Sequence, residues 1–254
     1  MMKKVFTYVY LSFSLLIAEK GSFEKGVAFY DSRSKGAVGY SVKPLNIENA
    51  IKQFKKASQN LELDAGVYLM RCYYFKGKFV ANTDDEKKEV FSKGKKIGEK
   101  LIKLFPKSAA VRYWYLVNLG SWAEVYGTMA AAKEGVAGLM RDHSKKIIEI
   151  DPSYSNGGGY FMLGAVHFKS PYIPFILSWP DNDLAVKNLK KAYGIGDPTP
   201  SQTVYLAQAL YKDGQKEEAE FYLRELLKKP FSQSEKVEDF DQHQIAKSLL
   251  EEWK

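Results

Sequence analysis

The sequence is poor in the residues that carry most protein chemistry, with one cysteine and three histidines in 254 residues. A single thiol, Cys72, excludes an intrachain disulfide framework. Its neighbours Leu69, Met70, Tyr73 and Tyr74 suit a small core residue better than a reactive nucleophile. No two of His143, His167 and His243 have metal-ligand spacing, and Gly-x-Ser-x-Gly, His-Glu-x-x-His and Cys-x-x-Cys motifs are missing. The carboxylate pairs Asp84-Asp85 and Glu217-Glu218 fall at expected helix starts, where negative charge complements the helix dipole. We expect no catalytic site, no metal and no cofactor.

A membrane-spanning run is missing too. The apolar stretch from Val5 to Ala18 follows Met-Met-Lys-Lys and precedes the first acidic residue, Glu19, which is how a secretory leader is built. It is shorter than the roughly 20 residues that span a bilayer. The expectation is a leader over residues 1–18, a folded chain over 19–254, and a periplasmic or otherwise exported protein. A buried first helix is the alternative reading. An uncleaved anchor is another, because Leu16 stands where a small residue is wanted before Ala18, and only then would the chain contact a membrane. No cysteine follows the run, so a bacterial lipid anchor is not encoded.

The net charge is +8, and +6 without Lys3 and Lys4. Lysines such as Lys87, Lys88, Lys93 and Lys96 alternate with Glu86, Glu89 and Glu99, as on solvated helix faces, and we expect no nucleic-acid partner. Sustained strand alternation is also missing.

What the sequence does contain is helical repetition. Ile47, Ala50, Ile51, Phe54 and Ala57 share one helical face, and Ile245, Leu249 and Trp253 do the same near the end. Pro106, Pro152, Pro198 and Pro230 recur at intervals of 46, 46 and 32 residues, each after a helical pattern. Proline stops a helix because it lacks an N–H and biases its predecessor away from helical geometry. Ala109 to Tyr126 and Met129 to Ile150 read as two long helical runs, and a capping helix is expected near 240–253.

The frame Tyr160-x-x-Leu163-Gly164-x-x-His167, followed by Ala185, Leu189 and Ala192, resembles the tetratricopeptide repeat (TPR). Leu206-Ala207-x-x-Leu210, Gly214, Ala219, Leu223, Leu226 and Pro230 resemble a second copy, and Leu69-Met70-x-x-Tyr73 with Gly94 and Gly98 an earlier, degenerate one. The resemblance implies an all-α, TPR-like right-handed superhelical solenoid of antiparallel helix pairs. Such folds present a surface to another protein.

Two 46-residue intervals exceed the roughly 34-residue repeat. One excess is an apolar insertion at 169–180, with three prolines beside Tyr172, Ile173, Phe175, Ile176 and Trp179. It reads either as a plug folded back on the solenoid or as the lip of a binding site. Asn156-Gly157-Gly158-Gly159 reads as a close-packing turn or an anion site at a helix start. Trp114, Asn118 and Trp122 share a helix face that either packs in the core or lines a concavity. Together with Tyr160, His167, Tyr172, Phe175 and Trp179 they are the candidate contacts for a partner or a small apolar ligand. A closed cavity lined by Trp114, Trp122 and Trp179 would favour the ligand.

The stretch from Arg112 to Pro230 carries Tyr113-Trp114, Asn118-Leu119-Gly120-Ser121-Trp122, Ile150-Asp151-Pro152-Ser153-Tyr154, Gly157-Gly158-Gly159 and Leu163-Gly164. It resembles the helical T-component of tripartite ATP-independent periplasmic (TRAP) transporters. That resemblance implies a periplasmic solute-binding protein as partner and a hydrophobic ligand cleft.

Overall fold

A computed structural model describes residues 20–58, 61–175 and 177–254. The leader expected over 1–18 lies outside the described residues, as does Ile176 of the insertion. Among the described residues no helix is long and apolar enough to cross a membrane.

Helix α1 covers residues 20–31. It is followed by α2 (Leu45–Ala57), α3 (Glu62–Phe79), α4 (Asp84–Leu104), α5 (Ala109–Tyr126), α6 (Thr128–Lys133), α7 (Val136–Ile150), α8 (Tyr154–Lys169), α9 (Asn182–Tyr193), α10 (Pro200–Lys212), α11 (Lys216–Lys228) and α12 (Lys236–Glu252). Local chemistry sets the starts. Thr83 and Glu86 form a reciprocal capping box on α4, and Thr199 and Gln202 form another on α10, with Pro200 in the first turn. Ser108 and Asp181 cap α5 and α9 through the N–H groups of Val111 and Leu184. Pro106, Pro152 and Pro230 lie just beyond the ends of α4, α7 and α11, as the sequence suggests. Pro198 lies farther out, in the turn between Tyr193 and Pro200.

The run from Met129 to Ile150 is not one helix. It breaks between α6 and α7 at Gly135, whose φ of 65° is left-handed, so the extra length of this interval includes a short additional helix.

The helices form an all-α, right-handed superhelical solenoid of antiparallel pairs. Helices α3, α5, α8, α10 and α12 touch in succession to form one layer, and α4, α7, α9 and α11 pack behind them. Two core clusters meet at Ile97, giving one continuous interior. Leu116, Leu119, Leu206, Leu210 and Leu223 are fully buried in it, each contributing about 1.5–3 kcal/mol.

The pairs approach closely because small residues stand where they cross. A methyl group at Gly98 would lie 2.7 Å from the Tyr115 ring, and one at Gly164 would lie 2.6 Å from Leu189 Cγ. At Gly94 it would overlap the Asn118 carboxamide. Asn118 cannot retreat, because its amide donates to the carbonyls of Met70 and Trp114 at 3.0 and 2.8 Å. Gly94→Ala is therefore expected to lower stability by about 1–3 kcal/mol. The loss should shrink in the Gly94→Ala/Asn118→Ala double variant, and additive losses in thermal unfolding would contradict this packing.

The superhelix brings its ends together. Arg33, in the turn after α1, places a guanidinium nitrogen 2.8 Å from Glu238 on α12, and the Tyr40 and Phe240 rings meet at 5.1 Å. Lys78, at the end of α3, lies 3.6 Å from Asp241.

Candidate partner-binding surfaces

The first helices of successive pairs bring aromatic side chains into one recess. Arg71 on α3 lies under the rings of Tyr30, Tyr68 and Trp114, at 4.9, 4.9 and 5.1 Å from their centres. Burial works against its charge, but the Tyr30 and Tyr68 hydroxyls favour it, and the net shift is upward. Tyr74 meets Trp114, which meets Tyr113, which meets Tyr154. Farther along, Phe161 and Phe168 of α8 pack on Tyr205 of α10. Burial pushes the Tyr74 and Tyr205 phenols up and that of Tyr113 to about 12. All three side chains nevertheless keep part of their surface accessible. An open cleft of about 370 Å³, lined by Phe23, Val67, Tyr68 and Ser108 among others, lies between α1, α3 and α5.

Of the expected stripe on α5, only Trp114 faces this recess. Asn118 is fully buried between helices, and Trp122 packs on Tyr126 and beneath Lys95 of α4. Trp179 lies elsewhere, its ring between His167 at 5.1 Å and the Arg141 guanidinium at 4.6 Å. Each tryptophan thus has its own neighbours, and the three do not build one cavity. The reason is helical geometry: positions four apart drift around the axis, so Trp114 points at α3 and Trp122 at α4. Tyr160 is half-buried with Lys191 over its ring.

The insertion is divided between an anchored base and an exposed tip. Trp179 clamps one end onto α7 and α8. Reciprocal backbone bonds between Ile173 and Leu177, at 2.9 and 2.8 Å, close a small loop. Within that loop Phe175 is 102% exposed at a φ of 65°, and Tyr172, just before it, is 63% exposed. A left-handed aromatic residue costs about 1–3 kcal/mol in backbone strain, which burial at the tip does not repay.

The glycine-rich run acts as a packing knot. Ser155, Asn156 and Gly157 all have positive φ, and the Asn156 amide donates to the Asp197 carbonyl while its own carbonyl accepts from Gln202. Gly158 lies against Tyr113 and Gly159 against Ile147 and Ile148, where no side chain would fit.

No group of side chains that could hold a metal ion is present among the described residues. The histidines are dispersed. His143 accepts from Arg112, His167 packs on Trp179, and His243 packs on Phe231. Burial lowers the pKa of all three, which favours the neutral ring in the fold. The unfolded chain takes up protons below about pH 6.5 that the folded chain refuses. Their contribution is therefore complete above that pH and lost as pH falls through it. The melting temperature should drop between pH 7 and 5, and a flat profile would contradict neutral histidines. Burial also pushes the Cys72 thiol up, away from reactivity.

Arg71 and the Arg33–Glu238 pair did not stand out in the sequence. The available signal for Arg71 was an arginine amid Tyr68, Tyr73 and Tyr74. Glu238, the partner of Arg33, is 205 positions away, beyond the reach of any local pattern.

The fold is that of a thermophilic TPR protein from Thermus thermophilus, with a TM-score of 0.62 and 18% sequence identity over 92% of this chain and 100% of that one. No curated protein sequence matches this chain. Residues 41–175, more than half of the sequence, match the family model for regulator of microtubule dynamics protein 1-3. The last residues before α2, helices α2 to α8 and the first half of the insertion fall within that match, and the chain belongs to the regulator of microtubule dynamics protein 1-3 family.

Proposed function

We infer that the protein is a non-catalytic scaffold that captures another protein, using the tip of the 169–180 insertion as a contact lip. The observation that carries this reading is Phe175, fully exposed and in a strained conformation while Trp179 holds the base of its loop in place. An aromatic residue held out in water at a cost in strain is suited to a partner's pocket. The dispersal of the histidines and the raised thiol support a role without catalysis. A small apolar ligand is less well served, because Trp114, Trp122 and Trp179 do not share a chamber.

Tyr172→Ser/Phe175→Ser should leave helicity and the unfolding transition unchanged and abolish partner capture. Replacing all of 169–180 with a short Gly/Ser turn should also abolish capture, with a moderate further loss of stability from the missing Trp179 clamp. A Tyr172→Ser/Phe175→Ser variant that keeps full capture would defeat the lip.

Export is proposed from the Met1–Ala18 pattern, and the transporter T-component resemblance would then make a periplasmic solute-binding protein the partner. If fractionation finds the full-length chain in the cytosol, export fails, and a cytoskeletal partner becomes the stronger reading, in line with the family's name.

A further inference from the structure

The N-terminal half of α12 is held differently from its C-terminal half. In the latter, Ala246 lies in the main core and Trp253 stacks on Tyr211 at 4.0 Å and 7°. In the former, one apolar residue, Val237, is buried, together with the polar Asp239, Asp241 and His243. This half reaches the other end of the chain through charge and one aromatic contact. Glu238 accepts from Arg33 Nε at 2.9 Å and pairs with its Nη2 at 2.8 Å through the same oxygen. Glu235 stands 3.9 Å from Arg33, Asp241 pairs with Lys78 and lies close enough to Tyr40 to add to burial in pushing its phenol pKa up, and Phe240 packs on Tyr40.

The fit is incomplete. The second Glu238 oxygen, Oε2, is buried without a hydrogen-bond partner. A buried ion pair roughly breaks even against its desolvation unless every lone pair is satisfied, so this contact is exchangeable in a way that an apolar one is not. Residues 229–235, mostly exposed, precede it and move with it, since the Ser232 N–H donates to Asp239 and Phe231 packs on Phe240 and His243.

We propose that Arg33, Tyr40 and Lys78 form a docking site for an acidic amphipathic helix, and that the chain's own Glu238-Asp239-Phe240-Asp241 turn occupies the site in the free protein. The ligand chemistry is read from the resident segment: a carboxylate for Arg33, an aromatic ring two positions later for Tyr40, and a second carboxylate next to it for Lys78. A partner helix able to engage Arg33 with both carboxylate oxygens would displace the resident turn. The proposal rests on the scaffold reading but uses a different surface from the insertion, so either can fail without the other.

The test uses the full chain and a fluorescent peptide of residues 234–247. In Glu238→Gln/Asp241→Asn, where the resident turn is weakened, the peptide should bind at least ten-fold more tightly than to the unaltered chain. Adding Tyr40→Ser/Lys78→Gln, at two partly exposed positions, should remove that gain while the circular dichroism stays unchanged. Raising salt should weaken peptide binding to the Glu238→Gln/Asp241→Asn chain. Equal affinity for the unaltered and weakened chains, or binding indifferent to Tyr40 and Lys78, would overturn the proposal. A doubled mass in light scattering with no peptide bound would assign the surface to a second copy of the chain, and would overturn it too. Should Glu238→Gln/Asp241→Asn unfold, hydrogen exchange on the unaltered chain decides: residues 236–241 must exchange at least ten-fold faster than 245–252, and uniform protection sinks the idea.

Discussion

Gly164→Trp is expected to destroy cooperative folding of the α8–α9 pair. Even the first carbon of a side chain at this position would lie 2.6 Å from Leu189 Cγ and 3.1 Å from the Ala185 carbonyl oxygen, and a backbone carbonyl in a helix cannot step aside. Leu189 and Ala185 are themselves buried, so there is no neighbouring void into which an indole could turn. Overpacking by a few methylenes costs about 1–3 kcal/mol, and an indole adds far more volume than that. Because each pair stabilises the next, the damage should spread to α7 and α10. Circular dichroism and thermal unfolding of the purified variant would show it, and a melting temperature within error of the parent would mean that the helix pairing is misassigned.

The second large effect is expected at Arg33→Met. The guanidinium is 2% exposed and Glu238 is partly so, and the substitution leaves that carboxylate buried without its counter-charge. Breaking a buried pair in this way removes about 2–4 kcal/mol here, below the range for a wholly enclosed pair because the Glu238 side chain is 21% exposed, and should lower Tm by roughly 5–12 °C. Arg33→Met/Glu238→Met should recover much of the loss, since an apolar pair of similar size carries no desolvation penalty. Hydrogen exchange should show the loosening in residues 32–41 and in the first turns of α12, at opposite ends of the sequence. A melt unaffected by Arg33→Met would mean that the ends of the solenoid are not joined through this contact.

These two positions also mark how far the sequence can be read. Gly164 was legible because repeat folds need a small residue at a fixed place in a periodic frame, and the same logic placed Gly94, Gly98, Ala185 and Leu189. The apolar faces of α2 and the last helix were legible for the same reason. The break at Gly135 was missed because an isolated glycine in a helical pattern stops a helix only when its backbone turns left-handed, and composition does not record that. Trp114, Asn118 and Trp122 share a stripe on paper, yet α3 and α4 draw them apart. The insertion's chemistry was visible, but its division into a clamped Trp179 and an exposed Phe175 depends on His167 and Arg141, which come from two other helices. Arg33 and Glu238 meet only because the superhelix turns far enough to bring its ends together. Such a contact is a product of accumulated rotation from pair to pair, and no local segment encodes it.

The claim that this solenoid captures a protein through the tip of its insertion is tested most directly by site-specific photocrosslinking. A photoreactive phenylalanine analogue at 175 should, in the native setting of the full chain, give one discrete crosslinked protein that is lost when Tyr172 is changed to Ser. The same analogue at 221, where Phe221 is also exposed on α11, should give none. No adduct from position 175, or the same adducts from 175 and 221, would contradict the account.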